Sequence, residues 1–169
     1  MTRMNNPQPH EFPPVKELVI HDAPMLLIDR AIAADETSMT AELDITANSM
    51  FCVPDKGVPS YVGIEYIAQT VAAYSGWRAR QAAPDTMPKI GYLLGSRKVA
   101  MSRDFLPIGS RLMVHVTNVF EDGEMGVFDG EVRLGEEILV DARINVYQPK
   151  ENETASTPPL GNNQETSDQ

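Results

Sequence analysis

One segment limits what this chain can fold into. Residues 59–82, PSYVGIEYIAQTVAAYSGWRARQA, carry apolar side chains around nearly the whole circumference of a helix until Arg78. A helix that is apolar all round is covered on most of its sides. Pro59 and Ser60 are favourable first residues, and Pro84 with Asp85 stops the run. The segment's 24 residues predict a helix about 36 Å long. No second stretch matches it, so the rest of the chain must supply its cover.

That cover reads as β-strands. Met25–Ala33, Ser38–Ile45, Lys89–Val99, Arg111–Phe120, Gly126–Leu134 and Ile138–Tyr147 are β-rich or alternating. Leu112, Val114 and Val116 fall on one face, with Met113, His115 and Thr117 on the other. Glu121 to Glu124 and Leu134 to Glu137 are turn signals. The order is two strands, one long helix, then four strands. It predicts an α+β fold, an antiparallel sheet of about six strands curled around one central helix. A doubly wound βαβ fold is excluded for want of helices.

The ends differ in composition. Residues 1–14 hold four prolines among polar residues, and 148–169 have only Ala155 and Leu160 as aliphatic residues. Such segments bury too little apolar area to offset their ordering entropy. They are expected to be disordered tails flanking one domain, 15–147.

Composition removes several function classes. A formal net charge of −10 argues against nucleic-acid binding, which needs a basic face. No apolar run approaches the roughly 18–20 residues of a transmembrane helix, and the N-terminus has no secretory h-region. A cytoplasmic protein is expected. Cys52 alone permits no internal disulfide and no cysteine-based metal site, and it reads as a small buried hydrophobe. No histidine pair has metal spacing, and Gly91 to Gly95 lacks the lysine and helix of a phosphate loop. No metal or cofactor is expected.

Two residues stand out as chemistry. Glu65 interrupts the most apolar stretch, between Ile64 and Tyr66, with Gln69 one turn later on the same side. A carboxyl in a buried helix is costly unless paired or protonated; if buried, Glu65 becomes a proton donor usable near neutrality. The competing reading is a helical turn that faces solvent. His21, just before the first strand, titrates near working pH and can remove a proton from carbon; its competing reading is a surface loop residue. His115 alternates with strand valines and falls on the outer face, and His10 lies in the head.

Four segments, in order, resemble one family. IHDAPMLLIDR (20–30) resembles the LPHRYPFLLVDR segment of the hotdog-fold 3-hydroxyacyl-ACP dehydratases of the FabZ type. PSYVGIEYIAQ (59–69) resembles their PGVLIIEAMAQ, YLLG and RKV (92–95, 97–99) their YLAGIDKARF, and FLPIGSRL (105–112) their PVVPGDQL. Within that family the resemblance points to the ApeP-type dehydratases of aryl-polyene pigment synthesis. It implies a hotdog fold and a homodimer or heterodimer with another hotdog protein. It further implies a substrate on the phosphopantetheine arm of acyl carrier protein, entering between subunits, and places Glu65 at the family's catalytic acid. Two departures are visible. The family histidine of HFPxxPxxPG is replaced by Phe51 in FCVPDKGVP (51–59), and the helix-start glycine by Ser60.

On that resemblance His21 becomes the candidate base and Glu65 the acid of a dehydration that leaves a trans-2-enoyl thioester. Backbone N–H groups near Ser60 and Tyr61 are expected to hold the thioester oxygen, Gln69 to orient the carboxyl, and Tyr92 to line the substrate site. Tyr61, Tyr66, Tyr74 and Trp77 are further candidates for an aromatic lining. An acidic carrier needs a local basic patch, and Arg78 to Arg111 hold seven of the fourteen basic residues; Arg97, Lys98 and Arg103 are the expected docking residues. Two alternatives stay open: a hotdog thioesterase with Glu65 activating water, and a non-catalytic hotdog subunit partnering an active dehydratase.

Overall fold

The computed structural model describes residues 11–150; the expected tails therefore lie mostly outside the described residues. A short helix α1 (Val15–Leu18) leads to β1 (Arg30–Ala34) and β2 (Ser38–Asp44). A two-residue strand β3 (Val58–Pro59) and a 3-10 turn (Ser60–Val62) precede the long helix α2 (Gly63–Ala82). Then come β4 (Tyr92–Met101), the two-residue β5 (Phe105–Leu106), β6 (Arg111–Glu121), β7 (Met125–Leu134) and β8 (Glu137–Tyr147).

Six strands form one antiparallel sheet in the order β1-β2-β6-β7-β8-β4, and β3 pairs with β5 beside it. The sheet curls around α2, which is the expected hotdog architecture. Strand alternation decides which residues face the helix. Leu112, Val114 and Val116 of β6 are buried, as are Phe128 and Val132 of β7 and Val140, Ala142 and Ile144 of β8. The side of α2 holding Tyr66, Ile67, Val71 and Tyr74 is buried against them.

Helix and sheet approach closely because glycine sits at the contact. A Cβ on Gly130 would lie 2.3 Å from Ile67 Cγ2, so the side chain missing from β7 is the space that Ile67 fills. On the other side of the helix, a Cβ on Gly76 would meet the Leu18 carbonyl oxygen at 2.1 Å, which lets α1 lie against α2. Phe12, three residues before the predicted domain start, rests its ring on Trp77 with centroids 6.2 Å apart.

Two expectations about local structure change. The helix begins at Gly63 rather than Pro59, because Val58 and Pro59 pair with Leu106 and Phe105. The first strand begins at Arg30 rather than Met25. Residues 25–29 run instead as a loop beside α2, held by side-chain bonds from Gln69.

Candidate active site

Glu65 and Gln69 stand one turn apart on α2. Gln69 is fully buried, and its carboxamide makes three bonds. Its oxygen accepts from the Leu27 N–H at 2.8 Å, and its NH2 group donates to the Met25 carbonyl at 2.8 Å and to Glu65 Oε1 at 3.1 Å. A buried amide in an apolar helix is stable only when its donors and acceptor are used. Gln69 therefore ties the helix to the loop and bonds the Glu65 carboxyl as well.

The same loop delivers the histidine. A turn at Asp22, whose carbonyl accepts from the Met25 and Leu26 N–H groups, folds residues 22–26 back on themselves. It sets His21 Nε2 at 3.7 Å from Glu65 Oε1. The two residues, 44 positions apart in the chain, thus form one pair. His21 Nδ1 is buried with no hydrogen-bond partner among the described residues, and Nε2 is the ring nitrogen that faces Glu65. The side chains keep 31% and 37% of their accessible surface. That is open enough for a substrate, and it corrects the expected burial of Glu65. The carboxyl faces a cavity rather than packed apolar side chains.

The cavity is about 350 Å³, within the usual size of small-molecule sites. From the His21–Glu65 pair it runs along a stripe of small residues on α2, namely Ala68, Ala72, Ser75, Gly76 and Ala79. Gly126 and Phe128 of β7, Val146 of β8 and Tyr92 of β4 close the other side. The helix stripe was legible in the sequence as small residues three or four apart from Glu65 onward; Phe128 and Gly126 carried no such signal, since only the curl of β7 aims them at the helix.

Other expected site residues lie elsewhere. The Ser60 N–H is taken by the Asp104 carbonyl at 2.9 Å, so it is not an available donor for a thioester oxygen. Tyr61 is 66% exposed and lines a separate shallow depression with Met101, Arg103 and Phe105. Tyr66 and Tyr74 are core residues, at 2% and 1% exposure, and burial raises the pKa of both phenols. Trp77 packs on Phe12. Phe51, in the place of the family histidine, is half exposed at φ 66° and does not line the cavity. His115 is on the outer face, held by Thr40 and Thr117 at 2.8 and 3.3 Å. Arg97, Lys98 and Arg103 lie on or just after the exposed strand β4. Arg97 donates to Asn145 Oδ1 at 3.3 Å, and Arg103 is paired with Glu137 through two bonds of 3.0 and 2.5 Å. Among the described residues no cluster of three metal-ligating side chains occurs, and no helix is long and apolar enough to cross a membrane.

A helix-borne acid, a histidine beside it and a cavity between helix and curled sheet are the setting in which relatives can be compared. The model of the ApeP-like family, described as ApeP dehydratase, matches residues 13–157. The chain belongs to the ApeP-like dehydratase family. It is a dehydratase with a hotdog fold. Among solved structures it is similar to the dehydratase heterocomplex ApeI:P from Xenorhabdus doucetiae, with a TM-score of 0.78, 29% identity, and coverage of 85% of this chain and 95% of that one. The 3-hydroxyacyl-[acyl-carrier-protein] dehydratase FabZ of Streptococcus pneumoniae is 27% identical over 124 residues, 71% of this chain and 84% of the relative. A mutant of the Staphylococcus aureus thioesterase SAV0944 has a TM-score of 0.55 at 11% identity, covering 72% of this chain and 93% of that one. That likeness is of fold alone and lends the thioesterase alternative no weight.

Proposed function

We propose that this ApeP-like dehydratase removes water from a 3-hydroxyacyl thioester carried on acyl carrier protein, with His21 and Glu65 as its acid–base pair. The observation that carries the reading is the 3.7 Å separation of His21 Nε2 and Glu65 Oε1 at one end of the cavity. Dehydration asks for two proton transfers on adjacent carbons, and two titratable groups this close can serve both. His21 Nε2 takes a proton from C2. The electron pair left behind forms the C2–C3 double bond as the C–O bond at C3 breaks. Glu65 gives the departing hydroxide its proton, and water leaves with a trans-2-enoyl thioester remaining. Proton transfer from His21 back to Glu65 resets the pair. Gln69 holds the carboxyl in line. With Ser60 committed to Asp104 and Tyr61 in a separate depression, neither member of the predicted donor pair lines this cavity.

The carrier would reach the site over the basic residues of β4. Arg97 and Lys98 are the stronger candidates; Arg103 would have to exchange Glu137 for a carrier carboxylate. A second hotdog subunit would pair with the outer edge of β4, whose one partner among the described strands is β8. That strand is exposed along most of its length and carries Leu94, Val99 and Met101 open to solvent. A long apolar edge of this kind calls for a covering strand, and the similar ApeI:P structure is a heterocomplex.

The test is turnover of a 3-hydroxyacyl thioester by wild type, His21→Ala and Glu65→Gln, with enoyl absorbance and free thiol read together. Each variant should lose on the order of 10²–10⁴ in enoyl formation while no thiol appears. Near-normal turnover by His21→Ala would remove it as the base, and thiol release would make the protein a thioesterase.

A further inference from the structure

The cavity has a near end and a far end, and the packing of β7 along α2 tells them apart. An ideal Cβ on Gly63 would lie 3.4 Å from Val132 Cγ2, and one on Gly130 would meet Ile67 at 2.3 Å. The Phe128 ring stands edge-on to Tyr74 with centroids 5.9 Å apart. Each step of two residues back along β7 therefore moves at least a turn toward the C-terminus of α2. Gly126 is the next step, past Tyr74, level with the far part of the cavity. From Glu65 to Ala79 the helix wall spans fourteen residues, about 21 Å.

Gly126 faces the helix, because alternation puts 126, 128, 130 and 132 on one face of β7 and all four are buried. It pairs directly with Val146 across the sheet. A Cβ there would stand 2.8 Å from Phe128 Cε2 and 3.1 Å from Val146 Cγ2. Both neighbours line the cavity. Phe128 has little freedom to retreat, since Tyr74 backs it and the Tyr74 hydroxyl is anchored to the Glu36 carbonyl at 2.6 Å. A side chain at 126, or the ring it displaces, must take up cavity space. The cavity is about 350 Å³, so the methyl groups of a side chain at 126 would take up part of it.

We propose that Gly126 is the specificity-determining position for the acyl tail. By carrying no side chain it keeps the far half of the cavity open, and so sets the length and bulk of chain accepted behind the reacting carbons. This rests on the proposed dehydration, in which C2 and C3 lie at His21 and Glu65 and the tail must continue along the small-residue stripe. The walls there include Phe128, Val146, Ala72 and Ala79, which suit a hydrocarbon chain, beside the carboxylates of Glu121, paired with Gly126 across the sheet, and Glu124.

The experiment compares the full chain with Gly126→Ala, Gly126→Val and Ala72→Leu. Ala72→Leu fills the cavity from the helix side rather than from β7, so it reports even if Gly126→Val fails to fold. The measurements are kcat/KM for 3-hydroxybutyryl and 3-hydroxydecanoyl pantetheine thioesters, and calorimetric binding of saturated butyryl and decanoyl pantetheine amides. The long-to-short ratio should fall at least roughly tenfold in Gly126→Val and in Ala72→Leu, and less in Gly126→Ala. Folded variants whose ratio stays within about twofold of wild type would overturn the assignment, as would a wild type with no length preference in either measurement. If wild type turns over neither thioester yet binds the long amide preferentially, and the variants lose that preference, the channel stands and the dehydration reading falls.

Discussion

The two sides of α2 have been put to opposite uses. One side, with Gly63, Tyr66, Ile67 and Tyr74, is closed against the sheet at glycine-allowed distances. The nearly opposite side, with Glu65, Ala68, Ala72, Ser75 and Ala79, stands off from β4, β7 and β8 and leaves a cavity. Side-chain size draws the difference. Ile67 on the helix meeting Gly130 on the strand, and Gly63 on the helix meeting Val140 on the strand, make a tight joint, whereas small residues on the helix facing Gly126 leave a void. The first arrangement holds the helix; the second holds a ligand, at the cost of the dispersion contacts that filling it would provide.

The comparison can be tested where it predicts the largest change. Ile67→Ala removes a fully buried side chain facing Gly130, where nothing else can fill the gap, and should lower the unfolding free energy by about 2–5 kcal/mol in a denaturant titration. A loss below about 1 kcal/mol would mean that this side is no better packed than the cavity side. Gln69 borders the two. Gln69→Leu leaves the Leu27 N–H and the Met25 carbonyl without their partner and frees Glu65. It should cost about 1–3 kcal/mol and also lower kcat, because the loop that carries His21 loses its anchor. Unchanged stability with reduced kcat would assign Gln69 to the carboxyl alone.

The smallest effect is expected outside both sides, at the half-exposed pair Asp129–Arg143 on the sheet. The hydrogen-bonded Arg143 guanidinium holds the Asp129 carboxyl below its ordinary range. A carboxyl whose folded-state pKa is depressed contributes stability above its unfolded value and loses it as pH falls through the lowered one. Arg143→Ala should therefore cause only a small loss of stability near neutral pH, and its gap from wild type should close in acid. A gap that widens in acid would contradict the sign.

How much of this was legible in sequence depends on the range of the interaction. Glu65 stood out because a charge in an apolar run needs a reason, and Gln69 followed from helical spacing. His21 could be named as a candidate, but its distance from Glu65 depended on a loop turn at Asp22 and on Gln69 bonds to Leu27 and Met25. The helix begins later than its apolar run because Val58 and Pro59 find a strand partner in Leu106 and Phe105, and the Ser60 N–H goes to the Asp104 carbonyl beside the same pairing. Of the aromatic residues considered for the cavity, only Tyr92 lines it. The apolar pattern of α2 marks Tyr66 and Tyr74 as buried without saying whether they face a core or a void.

The long helix, the alternating strands around it and the acid within the helix are local in origin. Periodicity and turn residues act over a few positions, and neighbours in the chain suffice to read them. The meeting of His21 with Glu65, the bond of Ser60 to Asp104 and the open space beside Ala72 and Gly126 come from long-range packing. Those outcomes depend on how far a curled sheet stands from its helix. That distance is set by pairs of side chains many residues apart, and no local pattern records it.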